Sequence, residues 1–382
     1  VANGKHLPGD ELRPEVAVAD GGTARITAVS AELLAVPLDR QLRAYGSGVV
    51  NVVRVIIADS DGARATGFTY TLGLGAVVVC RMVEEVIAPA LIGLRTSDWN
   101  RQRDQLSNGT RRLGRSVFVP ALSAVDIAIW DLRGLQADQP LYALLGGSSG
   151  AVPIYGSGRG SNSLELDELV QHTLDYLRDG YPAVKVRAGA RSVEDDLHRL
   201  RSVREAVGDQ VRLMVDCNEQ LDLTGALWLG RRLAELGYYW LEEPLIAEDL
   251  DGHAVLAAQL EVPIAVGEHL VGRHEFAQHL RATSIGLYQP DAALTGGVTE
   301  AQRIAQLAVA HNRSISYHSL PELHIHLAVQ TPNVSYVEDF GILDAVLADS
   351  LTPHNGTVVP PERSGHGMAW DEDAIRRFSR PI

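Results

Sequence analysis

Seven ionisable residues recur at nearly even spacing in the second half of the sequence: Lys185, Asp216, Glu242, Glu268, Asp291, His318 and Glu338. Their successive separations are 31, 26, 26, 23, 27 and 20 residues. Each ends a short apolar run, and each separation is about one strand-plus-helix unit. A single carboxylate after a strand is ordinarily a helix cap. Seven such residues in register are hard to explain as caps. In a barrel of parallel strands they would converge on one mouth, at the strands' C-terminal ends.

Strand alternation sharpens the pattern. Lys185 and Arg187 share a face, with Val186 opposite. Asp216 and Asn218 share a face in the same way, which turns Cys217 outward as a packed core thiol. Glu242 and Glu243 point to different sides if the strand stays regular, and periodicity does not say which points in. Three converging carboxylates without Cys or His partners suit a hard divalent cation such as Mg²⁺, which takes six oxygens and keeps places for water or substrate. Lys185 and Arg187 would offset the charge of an anionic substrate. Asp291 and His318 end neighbouring strands. A carboxylate accepting from one imidazole nitrogen orients the ring and makes the other nitrogen a better base. Glu338 donates a hydrogen bond if protonated, or balances Lys185 if ionised.

The elements that would position these groups are legible. From about Val152, short apolar runs alternate with amphipathic stretches such as Val193–Val207, Ala226–Leu236 and Glu300–Ala310. Eight strands with helical crossovers favour a closed (β/α) barrel. The first third reads as strands over Ile26–Pro37, Val49–Ala58 and Ala63–Tyr70, with a turn at Asp59-Ser60-Asp61-Gly62. Helices are predicted over Val77–Gly93 and Ser116–Leu135. The expected organisation is a flexible arm over 1–24, an α+β unit over 25–150, the barrel over 151–340, and a tail over 341–382 that returns to the first unit. Gly73-Leu74-Gly75 lacks the spacing of a phosphate loop and reads as plain loop.

Composition narrows the class. The 382 residues carry 34 Lys and Arg against 48 Asp and Glu, a formal charge of −14. That surface repels phosphate backbones, so nucleic acid is a poor partner. Two cysteines make no disulfide framework and suggest a cytoplasmic protein. No apolar run reaches the ~20 residues of a membrane span.

On these residues the chain resembles the enolase superfamily, in its mandelate racemase subgroup. The segments that carry the resemblance are Ala183-Val184-Lys185-Val186-Arg187, Met214-Val215-Asp216-Cys217-Asn218, Trp240-Leu241-Glu242-Glu243-Pro244, Val266-Gly267-Glu268, Gln289-Pro290-Asp291, Gly296-Gly297-Val298-Thr299 and Tyr317-His318. The resemblance implies a (β/α)₇β barrel with an α+β capping domain built from the N-terminal part and the C-terminal tail. It implies that Asp216, Glu242 and Glu268 bind Mg²⁺, that Asp291–His318 is the acid/base dyad, and that Lys185 and Glu338 hold the substrate carboxylate. It also implies a homo-oligomer, dimer or octamer. Arg187 stands where the family has a second lysine base, and guanidinium is a poor proton acceptor. One base suits β-elimination of water from an acid sugar better than racemisation, which needs a base on each face. A racemase or epimerase, and a non-catalytic binding barrel, are the alternatives. Arg43 and Tyr45 on the loop after the first strand, Ser157 after the first barrel strand, and Asn218 are the candidate substrate contacts, and His269 after Glu268 is a further polar contact or a second acid/base group. His324 and His326 read as packing or surface residues of a helix.

Overall fold

The computed structural model describes residues 23–38 and 48–382. The expected arm, and the candidates Arg43 and Tyr45, fall outside the described residues. β1 (Ile26–Pro37), β2 (Val49–Asp59) and β3 (Arg64–Leu72) form an antiparallel meander. Runs of Val and Ile in β2 suit a pleated, buried surface. At the β2–β3 turn, Asp59 Oδ1 accepts from the backbone N–H groups of Asp61 and Ala63 at 3.0 and 2.9 Å. Gly62 supplies the left-handed φ of 89° that the turn requires.

The capping domain continues through α1 (Ala76–Arg81), α2 (Trp99–Gly109), α3 (Phe118–Ala137) and α4 (Leu141–Leu144). The single helix predicted over Val77–Gly93 is instead α1, a π-helical turn over Met82–Ile87 and a 3₁₀ turn over Ala88–Ala90. Pro89 cannot donate the backbone bond that would continue an α-helix. α3 lies so close to β3 that a Cβ at Gly67 would sit 2.1 Å from the Ala124 carbonyl oxygen.

The second unit alternates strand and helix: β4 (Val152–Gly156), α5 (Leu166–Arg178), β5 (Ala183–Arg187), α6 (Val193–Val207), β6 (Arg212–Asp216), α7 (Leu223–Glu235), β7 (Trp240–Glu242), α8 (Leu250–Gln259), β8 (Ile264–Val266), α9 (Gly272–Ala282), β9 (Leu287–Tyr288), α10 (Ala292–Thr295), α11 (Gly297–Ala310), β10 (Ser314–Tyr317), α12 (Pro321–Ala328) and β11 (Val334–Asp339). β4 to β11 pair in chain order, all parallel, and β11 closes on β4. Tyr155, Ala183, Met214, Trp240, Ala265, Leu287 and Tyr336 fill the barrel interior. Their chain neighbours Val184, Leu213, Val215, Leu241, Val266 and Tyr288 pack outward against the helices.

The tail contributes β12 (Thr357–Val358), α13 (Glu372–Phe378) and β13 (Ser379–Arg380). β12 pairs antiparallel with β4, and β13 with β1, where Leu33 faces Arg380. The cap and barrel meet at the buried Asp126 of α3. Its carboxylate accepts from Trp99 Nε1 and Thr299 Oγ1 at 2.7 Å and from the Thr299 amide at 2.8 Å. Gly297 permits that approach: it has φ 86°, and a Cβ there would lie 2.3 Å from Asp126 Cβ. Both cysteines are free and buried. Among the described residues no helix is long and apolar enough to cross a membrane.

Candidate active site at the barrel mouth

Two residues beyond the interior layer, the same alternation turns Lys185, Asp216, Glu242, Gln289 and Glu338 into the barrel mouth. All five are buried. Two carboxylates reach the mouth by leaving the strand pattern. β7 ends at Glu242, and Glu243 takes a left-handed φ of 39°. Both glutamates are therefore buried on the mouth side, and the either-or expected of a regular strand does not apply. β8 ends at Val266, and Gly267 has φ 151°. Only glycine fits there, because a Cβ would lie 2.6 Å from the Gln289 amide nitrogen. The turn brings in Glu268, which plain alternation from Ala265 would send outward.

Asp291 and His318 meet as expected. His318 Nδ1 lies 3.0 Å from Asp291 Oδ2, and His318 Nε2 contacts Glu268 Oε2. Burial disfavours charge on the ring, but Glu268 and Asp291 facing its two nitrogens raise its pKa well above the ordinary value. Across the mouth, Lys185 Nζ contacts Glu242 and lies 2.8 Å from Glu338 Oε1 and 3.6 Å from Asp216 Oδ2. Glu338 Oε2 accepts from the Ser319 amide at 2.9 Å and stands 3.9 Å from His318 Nε2. Burial works against its charge, yet Lys185 and His318 hold its carboxyl down at about 2. Of the two roles open to Glu338, it takes the ionised one. It lies between Lys185 and His318 and also takes a hydrogen bond from Ser157.

Two groups of residues could hold a cation. Asp216, Glu242 and Glu268 form an all-oxygen set. Asn218 Nδ2 touches Asp216 Oδ2 and Glu268 Oε1, each at 3.2 Å. Glu242 Oε2 accepts from Trp240 Nε1 and Gln289 Nε2, each at 2.8 Å. Burial raises the Glu242 carboxyl to about 8 against the pull of Lys185. Such a set fits a hard divalent ion, which would offset the cost of burying these charges. The second group is Glu243, Glu268 and His269, whose ligand atoms lie within 4.8 Å of one another. Here His269 Nδ1 lies 2.7 Å from Glu243 Oε2. Against the penalty of burial, Glu243 holds the His269 imidazole protonated up to about 10. Among the described residues this second group has its ligand atoms close enough to share one ion, whereas the all-oxygen set matches the oxygen preference of a hard divalent ion.

Over the mouth, beneath the cap, lies a cavity of about 360 Å³ lined by Tyr70, Thr71, Leu72, Arg187, Glu268, His269, Leu294, His318, Phe340 and Ile342. Arg187 Nη2 is 3.8 Å from Asp216 Oδ2, and the guanidinium lies over the Phe340 ring. The sequence pattern missed Tyr70. It sits on β3, in the other domain, and its hydroxyl donates to Asp291 Oδ2 at 2.7 Å. It also missed Gln289, although Gln289 lies two residues beyond the inward Leu287. His324 and His326 are packing residues with one tautomer each. His324 Nδ1 donates to the Ser319 carbonyl at 2.8 Å while Nε2 accepts from the Ala292 amide at 3.0 Å.

Known proteins share this architecture. The family model "Enolase C-terminal domain-like" matches residues 168–374. The model "Mandelate racemase / muconate lactonizing enzyme, N-terminal domain" matches residues 26–146. The chain is 33% identical to the 3,6-anhydro-alpha-L-galactonate cycloisomerase of Streptomyces coelicolor over 359 residues, 93% of this chain and 99% of that protein. It is 34% identical to the L-talarate/galactarate dehydratase of Salmonella typhimurium over 85% of this chain and 82% of that one. A racemase from Streptomyces coelicolor solved with bound magnesium superposes with a TM-score of 0.89 at 32% identity, covering 93% of this chain and all of that one.

Proposed function

The chain belongs to the enolase superfamily, in its mandelate racemase / muconate lactonizing enzyme family, and from that premise we propose that it dehydrates an acid sugar. The reaction removes the proton α to a carboxylate and then expels the β-hydroxyl. The product enol becomes a 2-keto-3-deoxy acid. The observation that carries this reading is the Asp291–His318 pair facing Lys185 across Glu338 beneath the cavity.

Asp216, Glu242 and Glu268 would hold Mg²⁺. When bound, the ion supplies a Lewis acid where negative charge develops on the substrate carboxylate. Lys185, buried and kept charged by Glu242 and Glu338 against the cost of burial, holds one carboxylate oxygen. Asp291 fixes the ring of His318, whose Nε2, neutral once Glu268 no longer faces it, takes the α-proton and hands it to the departing hydroxyl. The α C–H and β C–O bonds break, a C=C bond forms, and water leaves. Arg187, a permanent cation beside Asp216, leaves His318 as the single base. A second base is what a racemase would require. The likeness to a cycloisomerase favours one variant of the same chemistry. There the β-oxygen belongs to a ring, and its expulsion opens the ring without loss of water.

Incubation with Mg²⁺ and acid sugars in D₂O, followed by proton NMR, tests the reading. A keto acid forms and the α-proton signal disappears. His318→Asn stops both while the circular dichroism spectrum is unchanged. Scrambled configuration at the α-carbon without elimination would replace the proposal with racemisation.

A further inference from the structure

We infer that Trp240 and Gln289 are positioning residues that set the metal preference of the barrel mouth. They bind one oxygen of Glu242, so that Glu242 offers an ion only its other oxygen, and this favours Mg²⁺ over Ca²⁺. The inference rests on the assignment of the ion to Asp216, Glu242 and Glu268 proposed above, and names what makes that set selective.

Glu242 Oε2 accepts from Trp240 Nε1 and from Gln289 Nε2, each at 2.8 Å. A carboxylate oxygen has two lone pairs, and these two donors fill both. Lys185 Nζ meets the other oxygen, Oε1. Of the acceptor sites on Glu242, the one left open is therefore on Oε1. Trp240, Gln289 and Glu242 are each no more than 1% exposed, so bulk water does not compete for Oε2.

The two donors come from different strands and are held from below. Trp240 stands two residues before Glu242 on β7, and its ring lies edge-on to Tyr155 in the barrel interior, with centroids 5.4 Å apart. Gln289 follows β9 directly. Its Oε1 has no hydrogen-bond partner among the described residues. Replacing the amide by an apolar side chain of similar length therefore removes the bond to Glu242 and no other side-chain bond there.

The two ions respond differently to a carboxylate fixed in this way. Mg²⁺ takes about six oxygens in near-octahedral order, and the two oxygens of one carboxylate are too close together to fill two corners. Ca²⁺ takes about six to eight oxygens at longer range and readily accepts both oxygens of a carboxylate. Fixing Oε2 denies Ca²⁺ a ligand and denies Mg²⁺ none.

Isothermal calorimetry of the full chain with MgCl₂ and with CaCl₂, without substrate, tests this. The readout is the ratio of the Ca²⁺ Kd to the Mg²⁺ Kd. In Gln289→Met the ratio falls about 3- to 5-fold, and with Trp240→Phe added about 10-fold or more, as Ca²⁺ gains an oxygen. Where wild-type Ca²⁺ binding is too weak to read, its appearance in the variants is the expected result and its absence overturns the inference. Gln289→Met alone decides the matter if the double variant does not fold. A wild-type ratio in the variants overturns the inference, and equal weakening of both ions would make the two donors plain supports of Glu242. If Glu242→Gln leaves Mg²⁺ affinity unchanged, the assignment of the ion falls, and this inference falls with it.

Discussion

Tyr70 Oη donates to Asp291 Oδ2 at 2.7 Å, and that same oxygen faces His318 Nδ1 at 3.0 Å. A strand of the capping domain thus touches the carboxylate that orients the proposed base. The contact is buried, and burial together with Asp291 pushes the Tyr70 phenol well above its ordinary pKa. Tyr70 is therefore a fixed donor. Tyr70→Phe removes one hydrogen bond worth about 1 kcal/mol. We expect kcat to fall roughly 5-fold with KM nearly unchanged. Steady-state kinetics decide it. A rise in KM alone would show that Tyr70 contacts substrate and does not position Asp291.

The two carboxylate groups at the mouth make opposite predictions. If Asp216, Glu242 and Glu268 hold the metal, Glu242→Gln weakens Mg²⁺ binding by at least about 100-fold. Glu243→Gln then changes it by no more than about 3-fold, since no charge at the ion is lost. Isothermal calorimetry of the two variants separates the cases. The reverse order would move the site to Glu243, Glu268 and His269.

Gly267→Ala tests whether the turn that delivers Glu268 depends on glycine. The new Cβ would meet the Gln289 backbone at 2.6–2.9 Å, and backbone cannot swing aside as a side chain can. We expect a loss of about 2 kcal/mol or more in urea unfolding. Mg²⁺ affinity should fall in whatever protein still folds. Wild-type stability and affinity would show that the turn has other ways to form.

His326 makes stability pH-dependent. Its Nε2 donates to the His366 carbonyl at 3.0 Å, and its Nδ1 accepts from the Tyr142 amide at 3.2 Å. Burial lowers its pKa from 6.5 to about 4. Between those values the unfolded chain binds a proton that the folded chain does not. Stability therefore falls as pH drops through 6.5 and stops falling on this account below about 4. From pH 7.5 to 5 the wild type should lose about 2 kcal/mol more than His326→Gln. Urea titrations at the two pH values measure the difference, and equal losses would refute the assignment.

The barrel and most of its mouth were readable because the period of the pattern is simple. Ala183 and Lys185, Met214 and Asp216, Trp240 and Glu242, and Tyr336 and Glu338 are interior pairs two residues apart. The apolar member fills the barrel and the ionisable one tops it. Where a strand ended early, the rule lost its grip. Glu243 and Glu268 enter the mouth through positive-φ backbone, which alternation cannot foresee, although Gly267 before Glu268 was a usable sign. Tyr70 was invisible for a different reason. It is 221 residues from Asp291 in the chain, and no local pattern announces a contact made only when two domains dock.

The pairing of β13 with β1 sets an order on how the molecule can be completed during synthesis. Leu33 and Leu34 emerge from the ribosome well before their partners Arg380 and Ser379, which follow the whole barrel in the chain. The cap sheet keeps one edge open throughout translation of the barrel. An open strand edge is a template for pairing with other chains. Domains otherwise tend to fold N-terminal first, but this one cannot finish until the whole barrel has left the exit tunnel. A chain cut before Ser379 would keep every group at the barrel mouth, yet leave the β1 edge of the cap sheet without the strand that pairs with it.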